Sequence, residues 1–240
     1  MSILRTCQMS IFGNYEGIVP ESELVLRLAE ALKEYGFIPG TIDVGLFDET
    51  KGEASIGKRI HMISNDECWT INIMIERIDF KYSYKKGTIE YYRIENVCET
   101  AAKLAQCVFG VLEDVRGRRL GLYCSVGYDL TDSNIRKIIT ENTFGLSQFA
   151  ERNVKMQLVR LANIDTVEFG DGKREKSNVV LNVNIDTREN KNKLLVTCDV
   201  NTVSDSKQMR FIPKDFGAYT VAAQEKIHEM LSDFQAYIEQ

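Results

Sequence analysis

Histidine, proline and tryptophan are scarce in this chain: two His, three Pro and one Trp in 240 residues. With only His61 and His228, far apart in sequence, most general acid–base schemes and histidine-rich metal sites lack their side chains. The six cysteines, at 7, 68, 98, 107, 124 and 198, form no CxxC pair. Most lie among apolar neighbours and read as buried free thiols in a reducing compartment. No run approaches ~20 apolar residues, and the opening MSILRTCQMSIFG is soon broken by polar positions, so neither a membrane span nor a leader is expected. The chain reads as cytoplasmic. GxxxxGK followed by Ser or Thr, GxGxxG and GxSxG are all absent, which removes the common phosphate-cradling loops and the serine-hydrolase elbow. No metal or cofactor is expected. No stretch is rich in Pro, Gly and Ser, so no flexible linker divides the chain.

What remains is an ordinary folded composition. Hydrophobic residues make up 44% and charged residues 27%, enough apolar material for a substantial core without disulfides or metal. The net charge of −5 sets up a field that does not attract phosphate, which favours a protein partner over nucleic acid unless basic residues are locally gathered.

Periodicity supplies the elements. Leu4 to Phe12 alternates as a strand with Cys7, Met9 and Ile11 on one face. PESELVLRLAEALKEYG then reads as a helix: Pro20 suits its first turn, Leu24, Leu28, Ala31, Leu32 and Tyr35 line one face, and Gly36 suits its end. Short strands are expected near 41–47 and 57–63, with the polar DETKGEASIG between them as a loop. WTINIMIERIDFKYSYKKG, from Trp69, reads as one long strand through Tyr84. Its apolar set moves from odd to even positions near Glu76 and Arg77, which implies a bulge or a passage between packed layers. Ile94 to Leu112 keeps helical period through Val97, Cys98, Ala101, Leu104, Ala105 and Val108.

The second half repeats this order. Leu120 to Tyr128 alternates as a strand, TDSNIRKII opens a short helix, and strands follow near 154–164, 178–187 and 193–201. The last two are expected to form a hairpin that opposes Val179, Leu181, Val183 and Ile185 to Leu194, Val196, Cys198 and Val200. A helix from about 216 to 237 closes the chain. The fold class is therefore α+β, with two similarly ordered halves, 1–115 and 116–240, each running strand, helix, three strands, helix. The two pack as one unit with helices on antiparallel sheet.

Candidate chemistry is sparse. Asp79 and Lys81 share a strand face at the Asp-x-Lys spacing that some metal-dependent nucleases use. Such a site also needs a second acid on a neighbouring strand, for which Asp43, Asp48 and Asp66 are the candidates. VRGRRLG, with Arg116, Arg118 and Arg119, reads as a solvated turn between the halves. GDGKREKSN, with Lys173, Arg174 and Lys176, reads as a charged hairpin loop. Tyr82, Tyr84, Tyr91 and Tyr92 gather around Lys85 and Lys86, a mixture suited to a protein interface and also to single-stranded nucleic acid.

The early strand and helix, the WTINIMIERIDFKY strand and the terminal AAQEKIHEMLSDF with His228 resemble a sporadically distributed family of bacterial proteins of about this length. The resemblance covers nearly the whole chain and brings no catalytic residues with it. It implies an accessory gene of the sort carried with phage-defence or toxin–antitoxin systems. Together these readings give a non-catalytic macromolecule-binding component whose partner is another protein, a second copy or a neighbouring gene product. Its contact region is Tyr82, Tyr84, Lys85, Lys86, Tyr91 and Tyr92. The alternatives are a metal-dependent nuclease or phosphodiesterase using Asp79 and Lys81, and a small-ligand sensor with a pocket between the halves.

Overall fold

The computed structural model describes residues 2–48, 53–85, 93–129, 156–186, 193–203 and 208–239. Nine strands form one open sheet: β1 Ser2–Phe12, β2 Phe37–Asp48, β3 Glu53–Ser64, β4 Trp69–Ile73, β5 Arg77–Ser83, β6 Arg119–Asp129, β7 Met156–Phe169, β8 Lys173–Asp186 and β9 Lys193–Thr202. Three helices are described: α1 Ser22–Ala31, α2 Ile94–Val111 and α3 Pro213–Glu239. The strand order is β2-β3-β4-β5-β1-β6-β9-β8-β7, and every neighbouring pair is antiparallel. The chain is thus α+β, and β1 against β6 makes the sheet continuous across both halves.

The stretch expected as one long strand is a hairpin. Met74 N–H donates to Arg77 O, and β4 returns against β5 with Ile73 opposite Ile78, Ile71 opposite Phe80 and Trp69 opposite Tyr82. Odd residues oppose even ones in this register, so the odd apolar set of β4 and the even set of β5 line the same face. The change of phase marks a chain reversal rather than a bulge, and the first half carries four strands after its helix instead of three. The expected loop between β2 and β3 is also shorter. Glu53 to Gly57 pair with Val44 to Asp48, so only residues 49–52 lie outside the described hairpin. TDSNIRKII falls outside the described residues.

The helices cover one face of the sheet. α3 lies on β6, β7 and β9, α2 on β1 and β5, and α1 on β2, while α2 touches both other helices. Alternation dictates what meets them. Cys7, Met9 and Ile11, then Ile78, Phe80 and Tyr82, then Leu120, Leu122, Cys124 and Val126 are all buried beneath this layer. From α3, Phe216, Tyr219, Ala223, Ile227 and Phe234 recur at helical spacing and are buried. Phe80, Phe109 and Phe216 join sheet, α2 and α3 in a cluster of rings 5.4–5.7 Å apart, two of the contacts edge-to-face.

α1 has no side-chain cap, and Glu23 in its first turn complements the helix dipole. The chain leaves through a 3₁₀ turn, Lys33–Tyr35, and Gly36 at φ +65° reverses it into β2. On the outer strand β7, the side chains of Asn163 and Asp165 accept from the N–H groups of Ile164 and Thr166. Those donors are occupied locally, which blunts this edge for pairing with another chain.

Candidate functional site

The residues opposite the helix layer are the polar halves of the same alternating strands. In β6, Leu120, Leu122, Cys124, Val126 and Tyr128 are buried while Arg119, Gly121, Tyr123 and Gly127 reach solvent. No described helix lies on this second face. Cross-strand register assembles it into rows. One row runs His61, Asn72, Asp79, Ser10, Gly121, Asn201 and Asn178 from β3 to β8. The next runs Lys81, Gln8, Tyr123, Asp199 and Val180.

Hydrogen bonds stitch the first row together. His61 Nδ1 and Asn72 Oδ1 are 2.6 Å apart. Ser10 Oγ donates to Asp79 Oδ1 at 2.6 Å, and Gln8 Nε2 donates to Ser10 Oγ at 3.2 Å. Arg119 Nη2 and Asn178 Nδ2 both donate to Asn201 Oδ1, at 2.7 and 3.3 Å. The Arg119 guanidinium also lies over the Phe12 ring, 4.7 Å from its centre. Such a network orients its members and leaves little rotamer freedom.

Charge is divided between the two sides. Among described side chains, Arg59 is buried, while six basic residues at strand positions of this face reach solvent, Arg77, Lys81, Arg119, Arg160, Arg174 and Lys176. Against them stand three acids, Asp79, Glu168 and Asp199. The helices, by contrast, carry nine acids against four bases. Among the described side chains the sheet face is thus basic opposite an acidic helix layer, and the strand positions of this face also hold Asp48, Glu53, Asp129, Asp186 and Lys193. A hollow of about 660 Å³ opens on the basic face between Arg119 and Arg160, floored by Asn178, Val180, Asp199 and Asn201.

Asp79 is 3% exposed and ion-paired to Arg77 Nε at 2.9 Å. Burial raises its carboxyl above the usual range, against the opposing pull of Ser10 and Arg77. The acids proposed to join it lie elsewhere. Asp43 pairs with Lys58 at positions that alternate to the other side of the sheet, and Asp66 accepts from Ser64 Oγ and Cys68 N–H in a turn. The side chain of Asp48 lies outside the described residues. Lys81 stands one row from Asp79. Among the described residues, no group of three or more His, Cys, Asp or Glu is placed to hold a metal ion.

The Tyr/Lys region is divided. Tyr82 is 1% exposed and packs on Trp69 at 5.6 Å, so it belongs to the core and not to a contact surface. Its position places it on the helix side of β5, a consequence of the hairpin register. Tyr84 is half-buried with the Arg5 guanidinium 5.6 Å from its ring centre, and Lys85 pairs with Glu67. Lys86, Tyr91 and Tyr92 lie outside the described residues. His228 is on the exposed side of α3, 3.4 Å from Glu95. VRGRRLG is held more firmly than a solvated turn. Gly117 pairs with Phe211, Arg118 N–H donates to Phe12 O, and Tyr15 Oη donates to Arg116 O. In GDGKREKSN only Gly170 to Gly172 form the turn, and Arg174 and Lys176 belong to β8. A recess of about 680 Å³, lined by Leu4, Tyr84, Ile94, Val126 and Leu231, lies where α2 and α3 meet the sheet ends, in the region a ligand pocket between the halves would occupy.

No family model, curated protein or solved structure matches this chain. The basic face, with Tyr123, Arg160, Asn178 and Asn201, went unnoticed in the sequence. Its signal was present as the polar complement of each alternating strand, for instance Arg119, Gly121, Tyr123, Ser125 and Gly127.

Proposed function

We propose that this protein is a non-catalytic binding component that holds a polyanion, nucleic acid, on the open face of its sheet. The separation of charge carries the reading. Among the described side chains of a chain of net −5, six bases that reach solvent stand against three acids on one sheet face, which is the electrostatic footprint of a phosphate-backbone binder. The acidic helices opposite orient an approaching polyanion toward the sheet. The absent motifs, the Tyr/Lys cluster and the net charge suggested a protein partner, but attraction of a polyanion depends on the local field and not the total.

The strand order supports a two-fold construction of the platform. The first strand of each half, β1 and β6, lies at the centre, and the last strand of each, β5 and β9, lies beside it. We take the halves as versions of one unit, which doubles the area of the face. The resemblance to a sporadically distributed bacterial family supports a role in an accessory system such as phage defence or toxin–antitoxin cargo.

The test is fluorescence anisotropy with labelled 20-nucleotide DNA and RNA at 50 and 200 mM NaCl. Arg160→Glu and Lys81→Glu should each weaken binding and reduce the salt slope by about 0.7–0.9 per lost phosphate contact. Lys103→Glu, on the exposed side of α2, should leave both unchanged. Equal losses from face and helix reversals, or no binding at 50 mM salt, would sink the proposal.

A further inference from the structure

Tyr123 sits in the middle of the central strand pair, on the open face, and is 36% exposed. Aromatic side chains elsewhere in this sheet are largely turned toward the helices, as with Phe80, Tyr82 and Tyr128. Glycine stands on the same face of β6 to either side of it, at 121 and 127. Neither position raises a side chain of its own, and at Gly127 the Arg5 side chain takes that space, its Nε 2.8 Å from where a Cβ would stand. A Cβ at Gly121 would already touch Asn201 and Phe12, at 3.4 and 3.5 Å.

The surroundings of the ring are those of a base reader. Gln8 and Asp199 are its cross-strand neighbours. Asp199 also lines the hollow between Arg119 and Arg160, whose volume is within the range of small-molecule sites. Asn201 Oδ1 accepts from both Arg119 and Asn178, which turns its donating amide end the other way. Amides and a carboxylate hydrogen-bond the edges of bases, while guanidinium groups take phosphate. An aromatic ring stacks on a base only when that base has left its own stack, which duplex does not permit without distortion.

Resting on the nucleic-acid reading above, we infer that Tyr123 is a stacking seat for an unpaired base, with the neighbouring nucleotide in the Arg119–Arg160 hollow, so that the preferred ligand is single-stranded. Phosphates meet Arg119 and Arg160. Base edges meet Gln8, Asn178 and Asp199.

The experiment compares a labelled mixed-sequence 12-nucleotide single strand, in DNA and RNA forms, with the matching duplex and with labelled polyglutamate at 100 mM NaCl. The single strand should bind at least tenfold tighter than either competitor. Tyr123→Leu should weaken single-strand binding about tenfold, the scale of one lost base–aromatic stack. The same change should leave duplex and polyglutamate binding unaltered, and Tyr123→Phe should keep the parent affinity. Circular dichroism and thermal midpoints of both variants should match the parent, since the side chain lies outside the core. Equal affinity for duplex or polyglutamate, or a Tyr123→Leu variant that binds the single strand normally, overturns the stacking seat while leaving the polyanion reading in place. Failure of every nucleic acid to bind overturns both.

Discussion

Phe216 is the residue whose loss most directly tests how the two halves cohere. It is 2% exposed on α3, 5.4 Å from Phe80 on β5 and 5.5 Å from Phe109 on α2, the second contact edge-to-face at 90°. Phe80 and Phe109 both precede residue 116, so this ring ties the C-terminal helix into the first half. Phe216→Ala removes the ring's buried area, leaves a cavity and breaks both aromatic contacts. Buried Phe→Ala changes cost about 3–5 kcal/mol, and each aromatic pair accounts for about 0.5–1.5 kcal/mol. For a domain of this size each kcal/mol shifts the midpoint by about 2–4 °C, so the variant should melt roughly 6–20 °C lower. Phe216→Leu keeps most of the volume and should lose about 1–2 kcal/mol, mainly through the aromatic contacts. Urea unfolding followed by far-ultraviolet circular dichroism and by the fluorescence of buried Trp69 reads both ends of the protein. The two probes should shift together by the same free energy. A Phe216→Ala variant within 1 kcal/mol of the parent would refute the argument. So would coincident probes in the parent that separate into an unshifted Trp69 transition and a shifted helical one.

Three further outcomes follow from the geometry. Burial raises the Asp79 carboxyl above its unfolded value, so the folded state holds this proton more tightly and loses stability as pH climbs from the unfolded pKa through the folded one. Asp79→Asn should therefore gain relative to the parent between pH 4 and pH 7 in urea titrations, and a relative loss would mean that Ser10 and Arg77 outweigh burial. Five of the six thiols are buried, Cys107 alone being half-exposed. Hydrogen-bonding to Cys98 and to Cys124, together with burial, holds Cys7 and Cys198 well above the usual thiol range. Ellman's reagent at pH 8 should thus titrate one thiol in the native protein and six in guanidinium, and rapid reaction of two or more native thiols would contradict the packing. Gly36→Ala places a side chain at φ +65° with Asn65 Nδ2 2.9 Å from the new Cβ. It should cost about 1–2 kcal/mol in urea, and a neutral substitution would show that the turn into β2 relaxes freely.

Legibility in the sequence followed the range of the physics involved. The three described helices were readable because apolar residues at i, i+3, i+4 and i+7 and terminal signals such as Gly36 are local. The β8–β9 hairpin was readable as two opposed apolar sets because alternation fixes which residues share a face, while the register itself, Val183 opposite Val196 and Leu181 opposite Cys198, came from the structure. The β4–β5 reversal was misread because the turn at Met74 to Glu76 contains no Gly, Pro, Asn or Asp. The change of phase was visible, but bulge and hairpin leave the same mark in one strand's pattern. Tyr82 was misassigned for the same reason: its face depends on that register.

By itself, the sequence determined that the chain builds helices and half-buried strands, which residues of each strand turn toward a core, and that the familiar nucleotide-cradling and hydrolase motifs are missing. Only the tertiary structure decided which strands are neighbours, and with that which polar residues meet. Alternation of period two specifies a side of the sheet but carries no information about distance across it. Asn201 comes beside Arg119 and Asn178 only because β6, β9 and β8 are adjacent, an order set by packing between residues more than 80 positions apart in the case of Arg119 and Asn201. The grouping of these polar side chains is therefore a property of strand order, which a sum of charges over the whole chain does not show.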